Sequence, residues 1–124
     1  MSLSRRCSVG KIITIVNQKG GVGKTTTCVS LTAALREKGK KVLLCDFDPQ
    51  ANATSGMGVD KTLSQGIYDV LINSVEPQKR VVSTRYGDVL PSSKGLAGAG
   101  VELVGAQDRE HLLRRALEQL SPSY

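Results

Sequence analysis

A chain of 124 residues, 40% hydrophobic and 23% charged, has room for one small domain, and with aromatics at 3% its core must come from Val, Ile, Leu and Ala. No apolar run nears the ~20 residues that span a bilayer, and residues 1–10 lack the apolar centre of a secretory signal. The net charge of +6 favours polyanionic partners, but the basic residues are scattered in pairs and charge alone names none.

Residues 1–10 read as a flexible amino-terminal segment and residues 11–124 as a single domain. Residues 11–16 (KIITIV) form an apolar, β-branched run, the pattern of a buried parallel strand, and lead straight into a glycine-rich stretch. The spacing of Val29, Leu31, Ala34 and Leu35 predicts a helix over residues 24–38, with Gly39 as its terminator. A second apolar run, residues 42–45, ends at Asp46 and completes a βαβ unit. Residues 47–61, rich in Gly, Asn, Asp and Ser, read as a long functional loop. Thr62 to Gln65 matches a T-x-x-Q capping box before a short helix through Val70, Leu71 and Ile72. Residues 86–90 form a third strand stopped by Pro91, and residues 96–104 a short helix weakened by glycines. A clearer helix covers residues 110–120, where Leu112, Leu113, Ala116, Leu117 and Leu120 share a face and Glu110 can pair with Arg114. The class is α/β.

The three cysteines, Cys7, Cys28 and Cys45, are odd in number and widely spaced. That pattern argues for a reducing compartment and against a disulfide framework or a Cys-rich metal site. His111, the one histidine, lies on a charged helix and reads as solvated.

The chemistry concentrates at Lys19-Gly20-Gly21-Val22-Gly23-Lys24-Thr25-Thr26, between a predicted strand and a predicted helix, where a P-loop belongs. Glycines let the backbone approach phosphates closely, and backbone N–H groups at the helix start face the anion. Lys24 reaches the β- and γ-phosphates, Thr25 offers a hydroxyl to Mg²⁺, and Thr26 an α-phosphate contact. The pattern G-x-x-x-x-G-K-[ST] places glycine at position 18, but Gln18 stands there and Lys19 follows it. This resembles the deviant Walker A motif, xKGGxGKT. The resemblance implies that Lys19 reaches across an ATP-sandwich homodimer to the other subunit's phosphates, a role like that of an arginine finger.

The run Asp46-Phe47-Asp48-Pro49-Gln50-Ala51-Asn52-Ala53-Thr54 is similar to the ParA/Soj partition ATPases, as are Val89-Leu90-Pro91-Ser92-Ser93 and Tyr68-Asp69-Val70-Leu71. MinD-type proteins share the D-x-D but not its continuation. The resemblance covers about residues 10–120 and identifies the chain with the amino-terminal portion of that family. It implies a P-loop NTPase-like three-layer α/β fold with a mainly parallel sheet, and an ATPase using ATP and Mg²⁺. It implies that Asp48 orients or activates the water attacking the γ-phosphate, that Asp46 lies near Mg²⁺ or Lys24, and that Asn52 belongs to a nucleotide-sensing switch.

The implied partners are a second copy of the chain, a ParB-like centromere-binding protein and nonspecific DNA, with no membrane, in a bacterial cytoplasm at the nucleoid. The family's Walker B strand, an apolar run ending D-x-P-P, is not found in these residues. The expectation is therefore a sheet truncated before that strand, with an apolar edge open to self-association. Two other readings stay open: a nucleotide-binding regulatory module without turnover, and a MinD-like positioning ATPase.

Overall fold

The computed structural model describes residues 11–15, 23–48, 50–60, 62, 66–92 and 106–124. Helix α1, Lys24–Glu37, starts from Gly23, whose φ of +78° is left-handed and suits a residue without Cβ. It stops at Lys38, and Gly39 follows at φ +82°, its N–H donating to the Arg36 carbonyl at 2.9 Å. Strand β1, Leu43–Cys45, follows, and then helix α2, Asn52–Gly56, helix α3, Ile67–Ile72, and a 3-10 turn at Pro77–Lys79. Strands β2, Val82–Thr84, and β3, Gly87–Leu90, form a hairpin about Arg85 and Tyr86; helix α4, Ala106–Leu120, and a 3-10 turn at Ser121–Ser123 complete the order.

The sheet order is β1-β3-β2. Parallel pairing sets Leu44 beside Val89 and Cys45 beside Leu90, and antiparallel pairing sets Val82 beside Val89. Because successive side chains point to opposite faces, this register sorts the apolar residues into two layers. On one face Leu43, Cys45 and Leu90 meet Ile67, Val70 and Leu71 of α3 and Ala116 and Leu120 of α4. On the other, Leu44 and Val89 meet Met57 beside α2 and Cys28 and Val29 of α1. Helices on both faces of a sheet make the three-layer α/β arrangement expected of the sequence. The sheet is mixed, however: the expected parallel pair is joined by the antiparallel β2, which the sequence reading missed.

Three other expectations are corrected. Residues 11–15 are not in a strand, and Ile12 and Ile13 stand 69% and 65% exposed. Strand formation requires a hydrogen-bonding neighbour, and none of the described strands pairs with this run. The loop over 47–61 contains α2, which buries Thr54 and leads to the buried Met57. The T-x-x-Q box does not start α3. Its N-cap is Gly66, with no side-chain cap, while Thr62 donates both N–H and hydroxyl to Asp60 Oδ1 at 2.9 and 2.6 Å. Only glycine fits that cap, since a Cβ there would lie 1.9 Å from the Pro91 carbonyl oxygen. The predicted helix at 96–104 lies outside the described residues. In α1, Thr32 rather than Ala34 is buried, its hydroxyl donating to the Cys28 carbonyl at 2.7 Å.

Candidate functional site

The head of α1 and the segment leaving β1 converge. Gly23 turns the chain into the helix, and among the described residues an added Cβ there would meet nothing within 4 Å. No acidic residue occupies that turn and among the described residues no side chain caps it, so its N–H groups lie at the positive end of the helix. Lys24, 22% exposed at its side chain, donates from Nζ to Asp48 Oδ2 at 3.0 Å across 24 residues of sequence. Thr25 is half-buried and Thr26 exposed on the next positions.

Asp48 sits in a tight turn in which the Ala51 N–H donates to its carbonyl at 2.9 Å and the Gln50 N–H to its Oδ1 at 3.0 Å. The Gln50 backbone bond, then the Lys24 hydrogen bond and charge, hold the Asp48 carboxyl below the ordinary carboxylate range, against the opposing effect of burial. Ala51 adopts φ +56° with its methyl fully buried, a strained left-handed conformation for alanine at the α2 cap.

Asp46 behaves differently. It is 5% exposed and its carboxylate takes three donors: the Asp48 N–H on Oδ1 at 3.0 Å, and the Thr54 N–H and hydroxyl on Oδ2 at 2.9 and 2.6 Å. Thr54 Oγ1 in turn accepts from the Ser92 N–H at 2.9 Å, and the Ser92 hydroxyl donates to the Asp48 carbonyl at 2.7 Å. Thr54 and Ser92 are fully buried. Sequence reasoning placed Asp46 near metal or Lys24; its geometry is that of a buried clamp on the backbone around Asp48. In the sequence Thr54 and Ser92 stand out only through the family resemblance. Their pairing across 38 residues left no local signal in the sequence.

Of the predicted site residues, Lys24 and Asp48 are in contact, Gly23, Thr25 and Thr26 share the head of α1 with them, and Lys19, Gly20, Gly21 and Val22 lie outside the described residues. Among the described residues, an uncapped helix N-terminus, an ammonium group and a threonine hydroxyl stand together, groups whose chemistry can hold a polyphosphate and its cation. Among the described residues no three His, Cys, Asp or Glu side chains cluster as a metal cage. A magnesium ion here would therefore draw most of its ligands from phosphate and water. His111 is exposed on α4. Burial pushes the Cys45 thiol up to about 12, and Cys28 is raised by burial and then by the Asp46 charge, with Lys24 opposing. No helix among the described residues is long and apolar enough to cross a membrane.

Residues 10–124 match a family model described as AAA domain. The sporulation initiation inhibitor protein Soj of Bacillus subtilis is 50% identical over 119 residues, covering 94% of this chain and 47% of Soj. A chromosome partitioning protein ParA of Myxococcus xanthus is 47% identical over 120 residues, covering 94% of this chain and 42% of its own. The chain thus spans about half the length of these curated relatives. Among solved structures, cobyrinic acid a,c-diamide synthase of Mycobacterium smegmatis, with bound ATP analogue and magnesium, superposes with a TM-score of 0.76 at 45% identity. The match covers 85% of this chain and 44% of that one.

Proposed function

The chain belongs to the AAA domain family, with ParA/Soj partition ATPases as relatives, and we propose that it is the nucleotide module of an ATP-hydrolysing switch that partitions chromosomes or plasmids. The observation that carries this reading is the 3.0 Å contact between Lys24, at the head of α1, and Asp48, at the turn after β1. It brings a phosphate-binding cation and a carboxylate to one point.

Lys24 and the α1 N–H groups hold the β- and γ-phosphates of ATP, with Gly20, Gly21 and Val22 completing the cradle. Thr25 presents its hydroxyl to Mg²⁺, and Thr26 contacts the α-phosphate. Bound Mg²⁺ supplies charge neutralisation across the phosphates. A polyphosphate attracts Lys24 more strongly than one carboxylate does, so binding draws the ammonium away from Asp48. The freed carboxylate then accepts a hydrogen bond from the attacking water. The Gln50 N–H on Oδ1, the largest of the effects that lower its pKa, stays in place and keeps Asp48 a weak base, suited to orienting that water rather than stripping its proton.

Lys19 of each subunit reaches the other's phosphates in an ATP-sandwich dimer, and the dimer binds nonspecific DNA until a ParB-like protein stimulates hydrolysis. The cycle runs in the cytoplasm at the nucleoid.

Titration of the chain with a fluorescent ATP analogue and Mg²⁺, beside Lys24→Ala, tests the module. Saturable binding, weakened at least tenfold in the variant, supports it. Equal binding by both removes Lys24 from the site, and no binding by either assigns nucleotide recognition to residues beyond this chain. Co-sedimentation with anionic liposomes would favour a MinD-like positioning cycle instead.

A further inference from the structure

We propose that Thr54 and Ser92 are positioning residues for Asp48, forming a buried hydroxyl relay from the end of β3 that fixes the carboxylate against Lys24. The inference rests on the reading of Asp48 as the water-orienting carboxylate.

Both backbone polar groups of Asp48 enter one network, beside the bond that the Ala51 N–H makes to its carbonyl. Its N–H donates to Asp46 Oδ1 at 3.0 Å and its carbonyl accepts from Ser92 Oγ at 2.7 Å. The two anchors are themselves joined, because Thr54 Oγ1 donates to Asp46 Oδ2 at 2.6 Å and accepts from the Ser92 N–H at 2.9 Å. Four groups from three places in the chain therefore close one ring of hydrogen bonds, leaving the Asp48 side chain as the part directed at Lys24. Packing alone does not call for this arrangement. Thr54 and Ser92 are fully buried, and apolar side chains of similar shape would fill the space without hydroxyls that must be satisfied. A satisfied polar ring of this kind rigidifies and specifies one geometry. The β3 end is itself held, since the Pro91 carbonyl accepts from the Ile67 N–H at 2.8 Å. Asp48 is thus referenced to the sheet and α3 as well as to its own turn.

A double-mutant cycle on the ligand-free 124-residue chain tests the relay without nucleotide. Melting midpoints are measured for Lys24→Met, Asp48→Asn and the pair, in the native background and again with Ser92→Ala. The expected result is a non-additivity of roughly 2 °C in the native background, lost with Ser92→Ala and kept with Ser92→Thr. Thr54→Val, which removes the hydroxyl at constant shape, also abolishes it, while Thr54→Ser retains it; these variants decide the matter if Ser92→Ala does not fold. Non-additivity of equal size in every background overturns the proposal and leaves Thr54 and Ser92 as packing residues. So does its absence from the native background. Nucleotide binding is read separately on the same proteins, so failure of the ATP-binding reading is distinguishable from failure of the relay.

Discussion

Asp46 and Asp48 leave β1 two residues apart, yet one forms the floor of the site and the other its rim. Asp46 is 5% exposed with three donors on its carboxylate, all from its own fold. The Asp48 side chain is 31% exposed and meets Lys24, a group with other work to do once phosphate arrives. Alternation along an extended segment sends Asp46 and Asp48 the same way, so alternation does not separate them. What separates them is depth: Asp46 reaches the buried Thr54 of α2, and Asp48 reaches Lys24 at the head of α1. A carboxylate with every oxygen satisfied by buried donors is scaffold. One that meets a loop N–H and a partly exposed cation is available for chemistry.

The comparison breaks most readily at the floor. Asp46→Ala strands the Thr54 N–H and hydroxyl and the Asp48 N–H, and is expected to cost about 3 kcal/mol of unfolding free energy in urea titrations. A loss below about 1 kcal/mol would place Asp46 on the rim with its neighbour.

Cys45, one residue before Asp46 but turned to the other face of the sheet, probes the layer under α3 and α4 by pH. Its folded pKa of about 12 stands above the ordinary 9.0, so the folded chain holds the proton more tightly than the unfolded one. Stability from the neutral thiol is complete below pH 9 and is lost as pH rises from there toward 12, by up to about 1.4 kcal/mol per pH unit. Cys45→Ala should flatten that part of the alkaline limb in parallel urea melts. An unchanged limb would mean water reaches Cys45 between the sheet and the α3–α4 layer.

The smallest effect belongs to the rim. Asp48→Asn is expected to change stability at neutral pH by less than about 1 kcal/mol, because the pair with Lys24 is partly solvated. The folded pKa of Asp48 is depressed, so its contribution is present above the unfolded value and is lost as pH falls through the folded one. The variant and native acid limbs should therefore converge at low pH. A large loss at pH 7 would make the Lys24 contact structural.

Legibility followed range along the chain. Helix α1, its Gly39 terminator, β1 and the apolar face of α4 could be read directly, because period, caps and β-branching act over a few residues. The apolar runs at residues 11–15 and 43–45 look alike in sequence, but Leu44 is buried at 7% exposure and Ile12 is 69% exposed. Apolar patterning records that a segment gains by burial; the neighbouring strand decides whether burial occurs. The hairpin strand β2 was missed because Val82, Ser83 and Thr84 are too short a run to carry a period.

By itself the sequence determined the α/β order, the glycine-rich entry to α1, and the pairing in kind of a phosphate-binding lysine with the D-x-D carboxylates. Tertiary structure alone decided which carboxylate is buried, that Lys24 meets Asp48 across 24 residues, and that Ser92 holds the Asp48 carbonyl across 44. Local propensity acts between neighbours in sequence. A hydrogen-bonded ring drawn from three distant segments exists only after the layers have packed and excluded the water that would otherwise compete for every one of its groups.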